Sequence, residues 1–392
     1  MKNRNEAIQN SSLNIDSSGF DWQYSPMENP NATIRLGTSF SGIGAIEHAL
    51  KRLGIRTQIV FAGDLDDDCK KSYFANYNIT EDKWHTDVCN FDASKFKNKI
   101  DLFVGGAPCQ AFSLRGKHGG FDDTRGTLFR EFARIVIECQ PKIFIFENVK
   151  GMLSHDKGNT WKTIKETFEK DCNYQIYYQV LNGKDYGIPQ SRDRIFCVGF
   201  KKNTEFKYPT PIPLNRNIYD MLETTVNPKY FLKYKGVRFI TKGINHQKSY
   251  TQINGEIQLC QKRNQQFNWH GDFIFHPKLK DDIRTPETDV TLFDLSECEE
   301  TYYNHLNPEN YALVPSGDGL YKMQKVDKAQ IVESQGRFRK LTPRECLRLM
   351  GFDDSFKIVV PDTAIYKQAG NSIIVDVLMA LLKQIDITKY AK

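Results

Sequence analysis

Asp101-Leu-Phe-Val-Gly-Gly-Ala-Pro-Cys109-Gln-Ala-Phe-Ser113 combines three signals in thirteen positions. Leu102 to Val104 is an apolar run of strand length, and Gly105-Gly106 ends it. Pro108 fixes the backbone directly before a cysteine. A thiol just past the carboxyl end of a parallel strand stands where open α/β sheets bind ligands. Most cysteines are small buried hydrophobes, but the residues that follow argue otherwise here. Gln110, Ser113, Arg115, Lys117 and His118 come next, with glycines at 116, 119 and 120, so a polar, cationic, pliable loop is expected. Neighbouring cations lower a thiol's pKa and leave it as a reactive thiolate. Cys109 is the expected nucleophile.

On both sides of this stretch strands alternate with helices. Ile34–Thr38, Gln58–Ala62, Lys142–Phe146, Gln175–Leu181 and Arg194–Phe200 read as strands, with helices at Ala45–Leu53, Asp67–Tyr77, Thr127–Cys139 and around 160–171. The alternation predicts an α/β fold with a mainly parallel sheet and helices on both faces. It fades after Tyr208-Pro-Thr-Pro-Ile-Pro213, whose prolines mark a domain boundary, and residues 214–335 read as irregular. Patterning returns at Leu341-Thr-Pro-Arg-Glu345, where Thr342, Pro343 and Glu345 spell a capped helix start. Ile373–Ile385 reads as an apolar amphipathic helix docked on the sheet.

The sequence of 392 residues carries a net charge of +6, which suits an anionic partner without requiring one. Its distribution says more. Residues 229–263 hold eight Lys or Arg against Glu256, with Tyr230, Phe231, Tyr234, Phe239 and Tyr250 interleaved, as a segment lying along phosphates requires. A solvated face is the plainer reading of the same charges. The nine cysteines have no zinc spacing, so neither a disulfide framework nor a metal site is expected. Mean hydropathy is −0.54, and with no long apolar run a membrane span is not expected. The polar first residues lack a signal-peptide core, which predicts a cytoplasmic protein.

Phe40-Ser-Gly-Ile-Gly44 follows a strand and opens a helix, as nucleotide-binding turns do. Asp64 ends the next strand 22 residues after Gly42, where a carboxylate can hold ribose hydroxyls. Asp87 can accept from an adenine amino group. Ribose and adenine contacts without a Walker-type Gly-Lys sequence fit NAD or S-adenosylmethionine. Glu147 ends an apolar strand, where an isolated carboxylate is costly to ionise. If its strand adjoins that of Cys109, both reach one crevice about 5 Å apart. Arg192 and Arg194 stand at i, i+2 on one strand face; as two arginines alone they read as a surface ion pair.

Taken together these blocks resemble a known family. Phe40-Ser-Gly-Ile-Gly, Pro108-Cys-Gln, Glu147-Asn-Val, Gln190-Ser-Arg-Asp-Arg, Arg339-Lys-Leu-Thr-Pro-Arg-Glu-Cys-Leu-Arg-Leu-Met-Gly-Phe352 and Gln368-Ala-Gly-Asn-Ser372 follow the block order of DNA (cytosine-5-)-methyltransferases of the bacterial restriction–modification type. The resemblance covers about 34–200 and 337–385. It implies S-adenosylmethionine rather than NAD, and a Rossmann-like methyltransferase domain with a smaller, irregular target-recognition domain. The expected domains are a polar arm at 1–30, a catalytic part at 31–210 with 360–392, and a target-recognition part at 211–359.

By motif position the resemblance implies Cys109 as nucleophile, Glu147 on N3 and the amino group of the base, and Arg192 and Arg194 as its clamps. Cofactor contacts are expected from Phe40, Ser41, Gly42, Gly44, Asp64, Leu65, Asp87, Val88, Pro108, Asn371 and Ser372. DNA contacts are expected from Gln110, Ser113, Arg115, Lys117 and Arg125. Leu65 stands where some relatives have a large aromatic, Asp353 where they often have proline, and Thr291-Leu292 is the expected Thr-Leu pair of the target-recognition region. The expected partner is double-stranded DNA with a short target site, the expected companion a cognate restriction endonuclease, and the expected state a monomer. A transfer-RNA cytosine methyltransferase and a binding protein that has lost catalysis are the alternatives; intact Cys109, Glu147 and Arg194 argue against the second.

Overall fold

Leu102-Phe-Val and Ile143-Phe-Ile-Phe are apolar at every position because both faces of their strands are covered. They lie at the centre of a seven-stranded sheet in the computed structural model, which describes residues 23, 25–108, 128–242, 245, 251–264, 269–280, 293–294, 311–315 and 320–391. The strands are β1 (Thr33–Ser39), β2 (Arg56–Gly63), β3 (Trp84–His85), β4 (Leu102–Gly105), β5 (Ile143–Val149), β6 (Gln175–Asn182) and β7 (Asp193–Phe200). Their order is β3-β2-β1-β4-β5-β7-β6. β7 alone runs antiparallel to its neighbours. Its reversal follows from the ten residues 183–192 that join it to β6, too few for a parallel crossover.

Alternation along the central strands feeds two cores. Leu102, Val104, Ile143 and Ile145 pack on one face with α1 (Ala45–Arg52). Phe103, Phe144 and Phe146 pack on the other with α3 (Leu128–Cys139) and α4 (Asn159–Glu166). Phe132 of α3 is the hub there, 4.7 Å from the Phe103 ring and 5.0 Å from Phe146. The helix α2 (Asp67–Asn76) follows β2, and its start is capped by Asp66, whose side chain accepts from Asp68 N and Cys69 N.

Residues 214–335, read as irregular, contain two small sheets. One has the order β11-β14-β10-β9, from β9 (Thr251–Ile253), β10 (Gly271–Leu279), β11 (Phe293–Asp294) and β14 (Ile331–Lys340). The other joins β12 (Tyr311–Pro315) to β13 (Tyr321–Lys325) and β8 (Thr225–Val226). The helix α5 (Tyr234–Ile240) packs Val237 and Ile240 against Phe273, Phe275 and Phe338 in a separate core. Part of the basic, aromatic stretch is spent on packing: Tyr230 is buried and donates to Asp362 at 3.0 Å, and Lys229 pairs with the same carboxylate at 2.7 Å. Thr291-Leu292 lies outside the described residues.

The chain then returns to the first core through α6 (Pro343–Arg348), α7 (Asp362–Asn371) and α8 (Val375–Ile385). The stretch 362–385 is long and apolar enough to cross a membrane by length and composition, contrary to the sequence expectation. Here it is two core helices that break at Ser372, with Ile365, Leu378, Leu381 and Leu382 fully buried. The end of the polar arm meets the chain's last turn, Asn29 N donating to Thr388 Oγ1 at 3.1 Å.

Thr342 and Glu345 form both bonds of a capping box at the start of α6. Glu345 also takes a bidentate ion pair from Arg339, at 2.8 and 3.0 Å, with both side chains fully buried. Removing one partner of such a pair strands the other charge. Glu345→Ala is expected to cost about 3–5 kcal/mol of stability. Urea denaturation measures this, and a loss under about 1 kcal/mol would show that the pair contributes little.

Candidate active site

Strands β1 to β5 end at one edge of the sheet, and β7, being reversed, begins there. The residues just past these strand ends enclose a cavity of about 550 Å³, within the usual size for a ligand site. The adjacent strands β1 and β4 make this edge a switch point, since the connection from β1 leads to β2 on one side and that from β4 to β5 on the other. Of the expected cofactor residues, Phe40, Gly42, Asp64, Leu65, Asp87, Val88, Pro108, Asn371 and Ser372 line the cavity, and Glu147, Arg192 and Arg194 share it. Cys109, Gln110, Ser113, Arg115, Lys117 and Arg125 lie outside the described residues.

One half is built around the turn after β1. Phe40 (φ 55°), Gly42 (φ 53°) and Gly44 (φ 78°) all have left-handed backbones, which for a phenylalanine costs about 1–3 kcal/mol. Gly44 starts α1 against Tyr77, whose ring would stand 2.2 Å from any Cβ there. Ser41 does not line the cavity; it ties the turn to β2. Its N–H donates to Gly63 O and its Oγ accepts from Gly63 N, both at 2.9 Å, and Oγ lies 2.8 Å from Thr38 Oγ1.

Asp64 is bound by Gly42 N at 2.9 Å and Asp66 N at 3.0 Å. Burial raises its pKa, against these two N–H groups. Asp87 accepts from Cys89 N at 2.9 Å and Asn90 Nδ2 at 2.8 Å. Leu65, at the cavity wall, is 77% exposed.

The other half is charged. Glu147 Oε1 lies 3.1 Å from Arg194 Nε, with both side chains largely out of solvent. Burial raises the Glu147 pKa, while Arg194 and then Arg192 pull it down. Arg192 is only 3% exposed. Its Nη1 donates to Gln261 O at 2.7 Å, and its Nη2 to Gly370 O at 3.0 Å and Ser372 O at 2.8 Å. Burial, with Arg194 beside it, brings its pKa down to about 10, so it stays charged at neutral pH. Three of its contacts are therefore main-chain staples, and only Nε lacks a partner among the described residues. Asn148 turns inward to donate to Ala107 O at 2.8 Å, which fixes the chain just before Pro108.

This arrangement fits a nucleoside cofactor. Asp64 and Asp87 present carboxylates from adjacent strand ends, Leu65 offers an uncovered apolar surface, and buried His85 Nδ1 and Gln368 Nε2 at the wall have no hydrogen-bond partner among the described residues. Gly106 leaves room beside the acid, since a Cβ there would stand 2.8 Å from Glu147 Oε2. Sequence reasoning missed His85, Asn148, Arg263, Gln368 and Gly370 as lining residues. Three of these were legible: Asn148, Gln368 and Gly370 stand inside blocks quoted for other positions. His85 belongs to a two-residue strand too short to register, and Arg263 comes from the unpatterned region.

Comparison with known proteins shows the family. The profile of the C-5 cytosine-specific DNA methylases matches residues 35–386. The type II methyltransferase M1.ScrFI of Lactococcus lactis subsp. cremoris is 33% identical over 94% of this chain and 83% of its own length. The type II methyltransferase M.HpaII of Haemophilus parainfluenzae is 32% identical over 92% of each, and the orphan methyltransferase M.SPRI of Bacillus phage SPR is 28% identical over 90% and 97%. Among solved structures, a Spodoptera frugiperda DNMT2 mutant has a TM-score of 0.63 at 19% identity, covering 90% of this chain and 99% of its own. The Entamoeba histolytica methyltransferase EhMeth gives 0.61 at 16%, covering 90% and 98%. The Rossmann-like methyltransferase fold is thus shared well beyond recognisable sequence. With the profile spanning nearly the whole chain and type II relatives above 30% identity, the chain belongs to the C-5 cytosine-specific DNA methylases and is a DNA (cytosine-5-)-methyltransferase.

Proposed function

We propose that the chain methylates C5 of a flipped-out cytosine in a short, specific sequence of double-stranded DNA, and that residues 214–335 read that sequence. The observation that carries this reading is the Glu147–Arg194 contact at 3.1 Å, with Glu147 on β5 beside the strand that leads to Cys109 and Arg194 on β7 beside β5. The type II relatives support a cytoplasmic role on chromosomal DNA, protecting it from a cognate endonuclease.

Cytosine C5 is a weak nucleophile. The Cys109 thiolate adds to C6 and turns C5 into the carbon of an enamine. Glu147 donates to N3 and draws charge from the ring, while Arg194 N–H groups and the unpartnered Arg192 Nε supply donors for O2. S-adenosylmethionine supplies the methyl group, with Asp64, Asp87, Leu65 and the Phe40 turn holding it. C5 then loses its proton, the C6–S bond breaks, and the thiolate returns. A base inside a duplex cannot reach a strand-end cavity, so it must leave the stack.

Fluorine at C5 cannot leave as a cation, so elimination stops after methyl transfer. DNA carrying 5-fluorocytosine at the target is expected to remain covalently attached through denaturing electrophoresis, only with S-adenosylmethionine present, and not with Cys109→Ala. An enzyme acting on the exocyclic amine would turn the fluorinated DNA over. Active enzyme that is not trapped would defeat the covalent route.

A further inference from the structure

Cys260 has no place in the chemistry above, yet its thiol stands among the charged groups. It belongs to the segment 258–263, which comes from the variable region and runs along the cavity rim. Gln258 N donates to Pro189 O at 2.7 Å and Ser191 N to Gln258 O at 2.9 Å, which seats the segment on the residues before Arg192. Gln261 N donates to Gln190 Oε1 at 3.1 Å, and Gln261 O receives Arg192 Nη1. Cys260 is thereby held half-buried, with Sγ 3.7 Å from Arg192 Nη1 and 3.9 Å from each Nη of Arg194.

The two arginines divide their donors unequally. Arg194 gives Nη1 to Asp193 O at 2.7 Å and Nε to Glu147. For its Nη2, Cys260 is the one acceptor among the described residues. The Nε of nearly buried Arg192 has no partner among the described residues and belongs to the same cavity wall, which leaves a donor in this corner for a ligand acceptor.

We propose that Cys260 is a positioning residue for methyl transfer: its sulfur holds the Arg194 guanidinium in the plane that sets Nε on Glu147. The proposal rests on the reading of Glu147 and the two arginines given above. A guanidinium is a rigid fork, so an acceptor at its Nη end fixes the direction of Nε at the other. Sulfur suits the task because it is a soft, weak acceptor. A carboxylate there would neutralise the guanidinium and compete with the base for its protons. Cys260 orients the arginine and leaves its charge available. Because the thiol comes from the variable region, correct seating of that region also completes the charged half of the site.

The test compares Cys260→Ala, Cys260→Ser and Glu147→Gln by single-turnover methyl transfer at saturating DNA and S-adenosylmethionine, with dissociation constants for both and a thermal midpoint. Cys260→Ala is expected to slow transfer roughly tenfold, the scale of one hydrogen bond, with both affinities and the midpoint unchanged. Cys260→Ser, which restores an acceptor, is expected to return close to the wild-type rate. A wild-type rate for Cys260→Ala overturns the proposal, as do equal losses in the Ala and Ser variants, or weaker DNA binding at an unchanged rate. Glu147→Gln separates the two layers. If it too reacts at the wild-type rate, the reading of the site falls and takes the proposal with it. If it is slow while Cys260→Ala is not, only the role of Cys260 falls.

Discussion

Cys109→Ser is expected to abolish methyl transfer, by more than roughly 10⁴-fold, the scale on which removal of a nucleophile is felt, with cofactor affinity unchanged. In the proposed reaction an anion attacks C6. A thiol with an ordinary pKa of about 8.5 is partly ionised at neutral pH, and cations such as Arg115 and Lys117, which follow it in the sequence, are expected to increase that share. A serine hydroxyl in the same place is almost wholly protonated at neutral pH. The cofactor half of the cavity depends on Phe40, Gly42, Asp64 and Asp87, none of which the substitution touches. Transfer of label from methyl-labelled S-adenosylmethionine to DNA measures the first effect, and equilibrium binding of the cofactor the second. Turnover of Cys109→Ser at a normal rate would remove the nucleophile assignment.

Glu147→Gln is expected to lower the single-turnover rate by roughly 10²–10⁴, the usual contribution of a general acid, with DNA affinity little changed. The amide keeps the volume and hydrogen-bonding shape but cannot hand over a proton. The acid has an additional signature in pH. Burial raises the Glu147 pKa above its ordinary value even against Arg194 and Arg192, so its protonated form persists to higher pH than in an exposed glutamate. Donation to N3 uses that form. The wild-type chemical rate should therefore fall as pH rises through the raised value, and this limb should be missing in Glu147→Gln. A Gln variant with the wild-type rate, or one that retains the limb, would exclude Glu147 as the donor.

The catalytic half of the molecule was largely legible because its signals are local. Gly105-Gly106 ends an apolar run, Gly42 and Gly44 follow another, and Glu147 closes a third; in an open sheet all such ends meet at one edge. The reversal of β7 was less visible, since its residues read as a strand in either direction and only the short 183–192 connection decides. Leu65 was expected as a possible departure in cofactor packing, and the structure adds that its side chain stands uncovered. Arg192 shows what sequence cannot supply. Two arginines at i, i+2 predict a shared direction, but the receiving carbonyls lie at 261, 370 and 372, far off in the chain. The sheets within 214–335 were missed for a related reason. Their strands pair across long separations, Phe273 with Lys340 and Tyr321 with Val226, so no short window carries the pattern.

Apart from its contact with Cys260 Sγ, Arg192 grips main-chain oxygen, and Gly370 admits the neighbouring chain so closely that a Cβ would stand 2.3 Å from Arg263 N. Carbonyl contacts of this kind are blind to side-chain identity at the positions they take. If residues 214–335 read the target as proposed, they can be rewritten over evolutionary time, provided their path still passes position 261, Cys260 keeps its sulfur and position 370 stays bare. A lineage built this way would acquire a new target word without having to relearn the reaction performed on it.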